Sequence, residues 1–441
     1  MSDSPRRRVV ITGMGVISPL GNSHDQLWDA LISGRSGVGP LETMPAQGLP
    51  IQCAAEAREF TGHIDNFGPL EKSQKKNIRK GLKVMCREIQ MGVASAQLAL
   101  SNAGLNLETT DCQRTGVSFG SDYMMTRPEE FIEGIRGCLN TEKTFQFSQW
   151  AESGLPKVEP LWLLKYLPNM PASHIAIYND LRGPSNSITL REASGNLSIA
   201  EAFCTIQRGS ADVMLAGATG TRVHPMRTVH VAIQEELASG EIDPSKLSRP
   251  FDQNRSGLVM GEGAGSVVLE DFDSALKRNA KIYGEIIGYS SSSVIDRNTR
   301  ARSDKALENV IRGSFNKAGL SPDQVGHVHA HGLSTRQGDR DEARAISQVW
   351  GQHNDSVPIV AAKSHMGNLG AGGGIVELVA SLLALENGTL FPVLNYETPD
   401  PECPIGIVRP GQSPSAGHNV LNINVTPQGQ ASALLVSQLD S

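Results

Sequence analysis

The stretch TLREASGNLSIAEAF, residues 189–203, reads as the end of a strand bending into a helix. Thr189 and Leu190 close an extended run, Ser194 and Gly195 mark a tight turn, and Ile199, Ala200, Ala202 and Phe203 give helical spacing. Enzymes hold nucleophiles out on such strained bends, at a helix N-terminus. The exposed residue on this bend is a carboxylate, Glu192. Two further stretches carry groups able to work beside it. HVHAHGLST puts His327, His329 and His331 on one strand face, a spacing open to a metal-site reading. The simpler reading, with no metal, is two strand histidines and one at the exposed C-terminal end, His331, where α/β enzymes place catalytic groups. AAKSHMGNLG offers Lys363, His365 and Asn368 around a second strand–helix turn. Lys363 pairs with a carboxylate or is solvated. Asn368 caps the helix or donates a hydrogen bond to an oxyanion.

Strands alternating with helices must position these groups. RRVVITGMGVIS reads as a strand (Val9–Ile11) and a Gly turn. NSHDQLWDALISG is a helix capped by Asn22 or Ser23, with Leu27 and Leu31 inward. A long helix ends at Gly104, TGVSFGS and ADVMLAGATG are buried strands, and the pattern continues to the closing HNVLNINVT and ASALLVSQL runs. This alternation means an α/β fold with sheets covered on both faces. Residues 188–197, ITLREASGNL, echo residues 360–369, VAAKSHMGNL: strand end, basic residue, turn and G-N-L helix start. The echo points to duplication, though ten residues also match by chance. Residues 40–70 read as a surface excursion. Residues 140–172 are rich in aromatics and proline without clear periodicity, which suits a lid or a subunit interface.

With 441 residues and a net charge of −6, the chain is long enough for two or three domains and no electrostatic match for nucleic acid. No apolar run approaches the roughly 18–20 residues that span a membrane. Six scattered Cys without CxxC pairs favour reduced thiols and a cytoplasmic protein. GLVMGEGAGSVVLE is not a nucleotide loop, because its glycines precede a strand. EKSQKKNIRKGLK clusters Lys72, Lys75, Lys76, Arg79, Lys80 and Lys83, either a solvated helix start or a docking patch for an anionic partner.

Together, RRVVITGMGVISPLGNS, LRGPSNSI, ADVMLAGAT, SRPFDQNRSGLVMGEGAGSVVLE, HAHGLSTRQGDRDEARAI and KSHMGNLGAGGGIVELV resemble the β-ketoacyl-acyl-carrier-protein synthases, the condensing enzymes of the thiolase fold, over almost the whole chain. The resemblance implies two pseudo-duplicated α/β halves in an αβαβα core, residues 1–255 and 256–441. It also implies a homodimer, or a heterodimer with a Cys-bearing ketosynthase. The partner it implies is an acyl carrier protein, which supplies the phosphopantetheine, so no cofactor is bound by the chain itself. The family's catalytic Cys falls on Glu192, its first His on His331, its Lys on Lys363, its second His on Asn368, and the Glu accompanying the Lys on Glu342. The C-terminal Gly-Phe-Gly-Gly gate is replaced by VTPQGQ, with Pro427 and Gln428.

A carboxylate is a poor nucleophile toward thioesters. Four readings follow: decarboxylation of malonyl-carrier protein through His331 and Asn368; acid–base work by Glu192; a non-catalytic partner like a chain-length factor; or condensation with the acyl group supplied from elsewhere. The retained His331, Lys363 and Glu342 favour an acyltransferase-type enzyme over the partner.

Overall fold

A computed structural model describes residues 7–240, 242–351 and 356–439. Residues 1–6 lie outside them. Strand β1 is Val9–Ile17, β2 Val38–Pro40, β3 Cys53–Ala55, β4 Thr115–Ser121, β5 Ser185–Thr189 and β6 Val213–Thr221. Strand β7 is Glu262–Asp271, β8 Gly284–Ser293, β9 His327–His329, β10 Ile359–Val360, β11 Asn419–Val425 and β12 Gln430–Ser437. β2 and β3 form a small separate hairpin. The other ten make one sheet in the order β10-β9-β11-β12-β8-β1-β7-β6-β4-β5.

This order is a duplication. Numbered within its own half, each set of five strands runs third-second-fourth-fifth-first, and the two first strands, β1 and β8, pair antiparallel at the centre. In each half the second strand is parallel to the third and fourth, and the fifth is antiparallel to its neighbours. The echo in sequence therefore marks equivalent strands, β5 and β10. Its G-N-L ends are not equivalent: a helix begins at Ser194 in the first copy, but Lys363–Met366 make a single turn and the matching helix begins at Gly373. β7 pairs with β6 and β1, so the first half ends at Asp271 and the second begins at Gly284, later than the residue-255 boundary read from sequence.

The helices Ser194–Gln207 and Gly373–Asn387 contact strands of both halves and each other, forming the middle layer. Ile199, Phe203, Ile206, Ile375, Val379 and Leu382 bring them into one core with Met14, Met214, Val267 and Leu434. Arg87–Ala103 covers β1, β6 and β7 from outside, and Ser303–Ala318 covers β8 and β12, completing the αβαβα stack. β1 does not turn at its glycines but runs on to Ile17. Gly15 is needed because a Cβ there would lie 2.1 Å from the Ser95 carbonyl oxygen of the covering helix. Ser23 is the cap of helix His24–Ile32, and Leu27 and Leu31 are buried as expected.

β5 is a sheet edge, with Ser185, Asn186 and Thr189 exposed. The segment 140–172 folds as short turns of helix, in which Trp162 meets Phe131 edge-to-face at 5.1 Å. Among the described residues no helix is long and apolar enough to cross a membrane.

Candidate active site

The connections that follow β5, β6 and β10 meet: Glu192, after β5, contacts Arg222, after β6, and Asn368, beyond β10. β5 leads into Arg191–Ala193, a single helical turn. Arg191 has φ = 50°, in the left-handed region that costs a non-glycine residue about 1–3 kcal/mol, so the strained bend read from sequence is present. Glu192, however, is not held out to solvent: it is only 2 % exposed. The covering group is Arg222, from the end of β6, itself 1 % exposed and in direct contact with Oε1 of Glu192.

Four side chains close a ring of alternating charge. Arg222 pairs with Glu192 and, at 2.9 Å, with Glu235 at the end of helix Pro225–Gln234. Arg191 pairs with the same Glu235 oxygen at 2.6 Å and returns to Glu192 at 3.5 Å. Burial opposes charge on Glu192, but Arg222 and then Arg191 outweigh it and hold the carboxyl well below the usual range. Asn368 adds a hydrogen bond from Nδ2 to Glu192 Oε1 at 3.1 Å, and its Oδ1 accepts the Gly370 N–H at 3.0 Å. The Asn368 amide is therefore aimed at the Glu192 carboxylate, not at an open oxyanion position. A second buried pair, Arg227 with Asp122 at 3.2 Å, adds to the polar filling beside the ring.

The second half supplies a cationic relay. Lys363, 2 % exposed, contacts the fully buried Glu377 and stands 3.3 Å from His331 Nδ1. Asn424 of β11 donates to Glu377 at 2.7 Å and lies 3.4 Å from the same nitrogen. Two donors facing Nδ1 place the imidazole proton on Nε2, which is buried without a partner. Burial and Lys363 drive the His331 pKa well down, so the ring is neutral. His331, expected at an exposed strand end, is also buried.

Glu342 is not the carboxylate that pairs with Lys363; Glu377 is. Glu342 instead accepts the backbone N–H groups of His331 at 2.6 Å and Gly332 at 2.8 Å, fixing the His331 turn. Burial pushes its carboxyl up to about 8, against those two donors. A raised carboxyl contributes stability that is full below its unfolded value and lost as pH rises through 8. Glu342 alone is therefore expected to draw stability down between about pH 5 and 8, against the opposite slope of the buried neutral histidines, and Glu342→Gln to gain stability relative to wild type across that range in urea titrations. An equal slope in both proteins contradicts this.

His327 and His329 are held by the Ala416 carbonyl and the Ser381 hydroxyl, both at 2.8 Å, as ordinary buried histidines. Lys75 of the basic helix Lys72–Gly81 is tied to Asp65 at 2.6 Å, whereas Lys72, Lys76, Arg79 and Lys80 are exposed. At the gate position, residues 425–430 form a tight hairpin turn, closed by the Thr426 N–H to the Gln430 carbonyl at 2.8 Å. Gln428 there accepts a hydrogen bond from Arg191 at 3.3 Å. A cleft of about 300 Å³ reaches His331 between Glu235, Leu333, Thr426 and Pro427; Glu192 does not line it.

A duplicated fold with a His–Lys–Glu relay opposite a strained bend defines a condensing-enzyme scaffold of the thiolase fold. The β-ketoacyl synthase N-terminal domain matches residues 6–275 and its C-terminal domain residues 283–397, and the chain belongs to that family. It is 36 % identical over 404 residues to the 3-oxoacyl-[acyl-carrier-protein] synthase 2 of Coxiella burnetii, covering 91 % of this chain and 92 % of that one. It is 33 % identical over 410 residues to the actinorhodin polyketide putative β-ketoacyl synthase 1 of Streptomyces coelicolor, covering 91 % and 82 %. The solved ishigamide ketosynthase/chain length factor superimposes with a TM-score of 0.81 at 26 % identity, covering 99 % of this chain and all of that one.

Sequence reasoning missed Arg222, Glu235, Glu377 and Asn424. Glu377 had a visible signal: it is the one charged residue within the run GGIVELVASLLAL. A lone carboxylate on an otherwise apolar helix demands a buried cation.

Proposed function

We propose that this chain is a non-condensing subunit of fatty acid or polyketide synthesis, pairing with a Cys-bearing ketosynthase as a chain-length factor does. The observation that carries this reading is the closed ring of Glu192, Arg222, Glu235 and Arg191. An acyl group on residue 192 needs the volume that the Arg222 side chain fills, and Glu192 is committed to two arginines rather than poised as a base. The solved ketosynthase/chain length factor relative supports the pairing. So do the free edge of β5 and the exposed Phe147, Leu155, Leu161 and Leu163. The acyl chain arrives on an acyl carrier protein whose pantetheine arm is the only prosthetic group, and six free thiols agree with a cytoplasmic setting. Co-expression with the Cys-bearing ketosynthases of the same organism tests this. A stoichiometric mixed dimer is the expected product, and exclusive self-association in every pairing contradicts it.

A second reading, decarboxylation of malonyl-carrier protein, is favoured by one observation: the unpartnered His331 Nε2–H beside a cleft. Against it stand the Glu192 charge, which repels a malonyl carboxylate, and the engagement of Asn368 by Glu192.

The exposed basic helix is the surface for the acidic carrier. Lys76→Glu with Lys80→Glu is expected to weaken carrier-protein binding about tenfold at low salt, mainly through the on-rate. Unchanged affinity by surface plasmon resonance contradicts that placement.

A further inference from the structure

A second cavity, of about 350 Å³, shares no residue with the cleft at His331. Residues following the adjacent parallel strands β4 and β6 contribute to its wall, Arg127 and Glu130 from the first and His224 from the second. Crevices beyond the carboxyl ends of parallel strands are where α/β sheets bind ligands, and the volume suits a small molecule.

His224 is the unusual group here. The side chain is only 7 % exposed, and its Nδ1 accepts the Met226 N–H at 3.2 Å, capping helix Pro225–Gln234. With Nδ1 accepting, the proton sits on Nε2, and Nε2 is buried with no partner. Burial first, and then the neighbouring Arg127 and Arg227, lower its pKa to about 4, so it remains a neutral donor at physiological pH. A buried donor left unmet costs about 1–3 kcal/mol. The charges around it are unbalanced. Of the lining cations, Arg87 is paired with Glu262 and Lys165 with Glu130, whereas Lys83 and Arg127 stand outside those pairs. Burial pushes the Glu88 carboxyl up from its ordinary value.

We propose that this cavity binds a small oxyanion, a carboxylate or a phosphate, held by His224 Nε2–H and the Arg127 guanidinium. The acceptor oxygen satisfies the orphaned donor, and its charge meets the unpaired arginine.

Isothermal titration calorimetry on the full chain tests this with inorganic phosphate, succinate and the neutral succinamide. One or both anions are expected to bind saturably at one site while succinamide does not, and the tighter of the two identifies the source of the oxyanion. His224→Asn keeps a side-chain acceptor for the Met226 N–H but loses the Nε2 donor; Arg127→Gln removes only the charge. Each is expected to weaken binding at least tenfold, and Lys277→Glu, at the exposed end of a helix outside the cavity, to leave it unchanged. Arg127→Gln carries the test if His224→Asn fails to fold. Absence of anion binding overturns the proposal. So does affinity that survives both cavity variants, or is lost equally in Lys277→Glu.

Discussion

Glu192→Gln is expected to lower the unfolding free energy by about 3–5 kcal/mol, because it leaves Arg222 buried with one counter-charge removed. The penalty belongs to the unpaired ion rather than to the pair. Glu192→Gln combined with Arg222→Met removes both charges, leaves Arg191 and Glu235 paired with each other, and is expected to recover most of the loss. The sign of the pH dependence follows from the same geometry. The folded carboxyl is held below its ordinary 4.5, so the stabilisation is complete above that value and is lost as pH falls through the folded one. Wild type is thus expected to show a steeper acid limb than Glu192→Gln. A single-variant cost under about 1 kcal/mol in urea unfolding contradicts a locked ring.

Restoring the thiol alone is expected to restore nothing. In Glu192→Cys the two arginines favour the thiolate, as cations near a cysteine do. The acyl chain still has no space beside Arg222, and that guanidinium has lost a partner. Condensation of acyl- and malonyl-carrier protein is expected to stay at background in the single variant. It is expected to rise by at least about a hundredfold, on the order of 2.7 kcal/mol in barrier, when Arg222→Ala is added. The double variant keeps the Arg191–Glu235 pair, and His331, Lys363 and Glu377 remain in place. Activity in Glu192→Cys equal to that of the double variant contradicts the assignment of Arg222 as the block.

Much of the fold was legible because it rests on local periodicity. The buried strands, the helix ending at Gly104 and the echo of β5 in β10 are all written in contiguous residues. The boundary at residue 255 failed for a non-local reason: β7 follows a long connection but pairs back onto β1 and β6. The bend at Glu192 was legible too, but its burial was not. The strand–helix rule says a residue there is held out, and nothing in TGTRVHPM marks Arg222 as the side chain that covers it. The ring closes only when the ends of β5, β6 and helix Pro225–Gln234 are brought together, and that is a tertiary fact. The same holds for Glu342, whose spacing matched the family's Lys companion but whose oxygens went to the backbone of the His331 turn.

The most direct test of a closed nucleophile seat is turnover by the purified chain alone with malonyl-carrier protein, followed by intact-mass spectrometry. No acetyl-carrier product above the protein-free control and no acyl adduct on Glu192 are expected. Steady release of acetyl-carrier protein that His331→Ala abolishes, or a stable adduct mapped to Glu192, contradicts it.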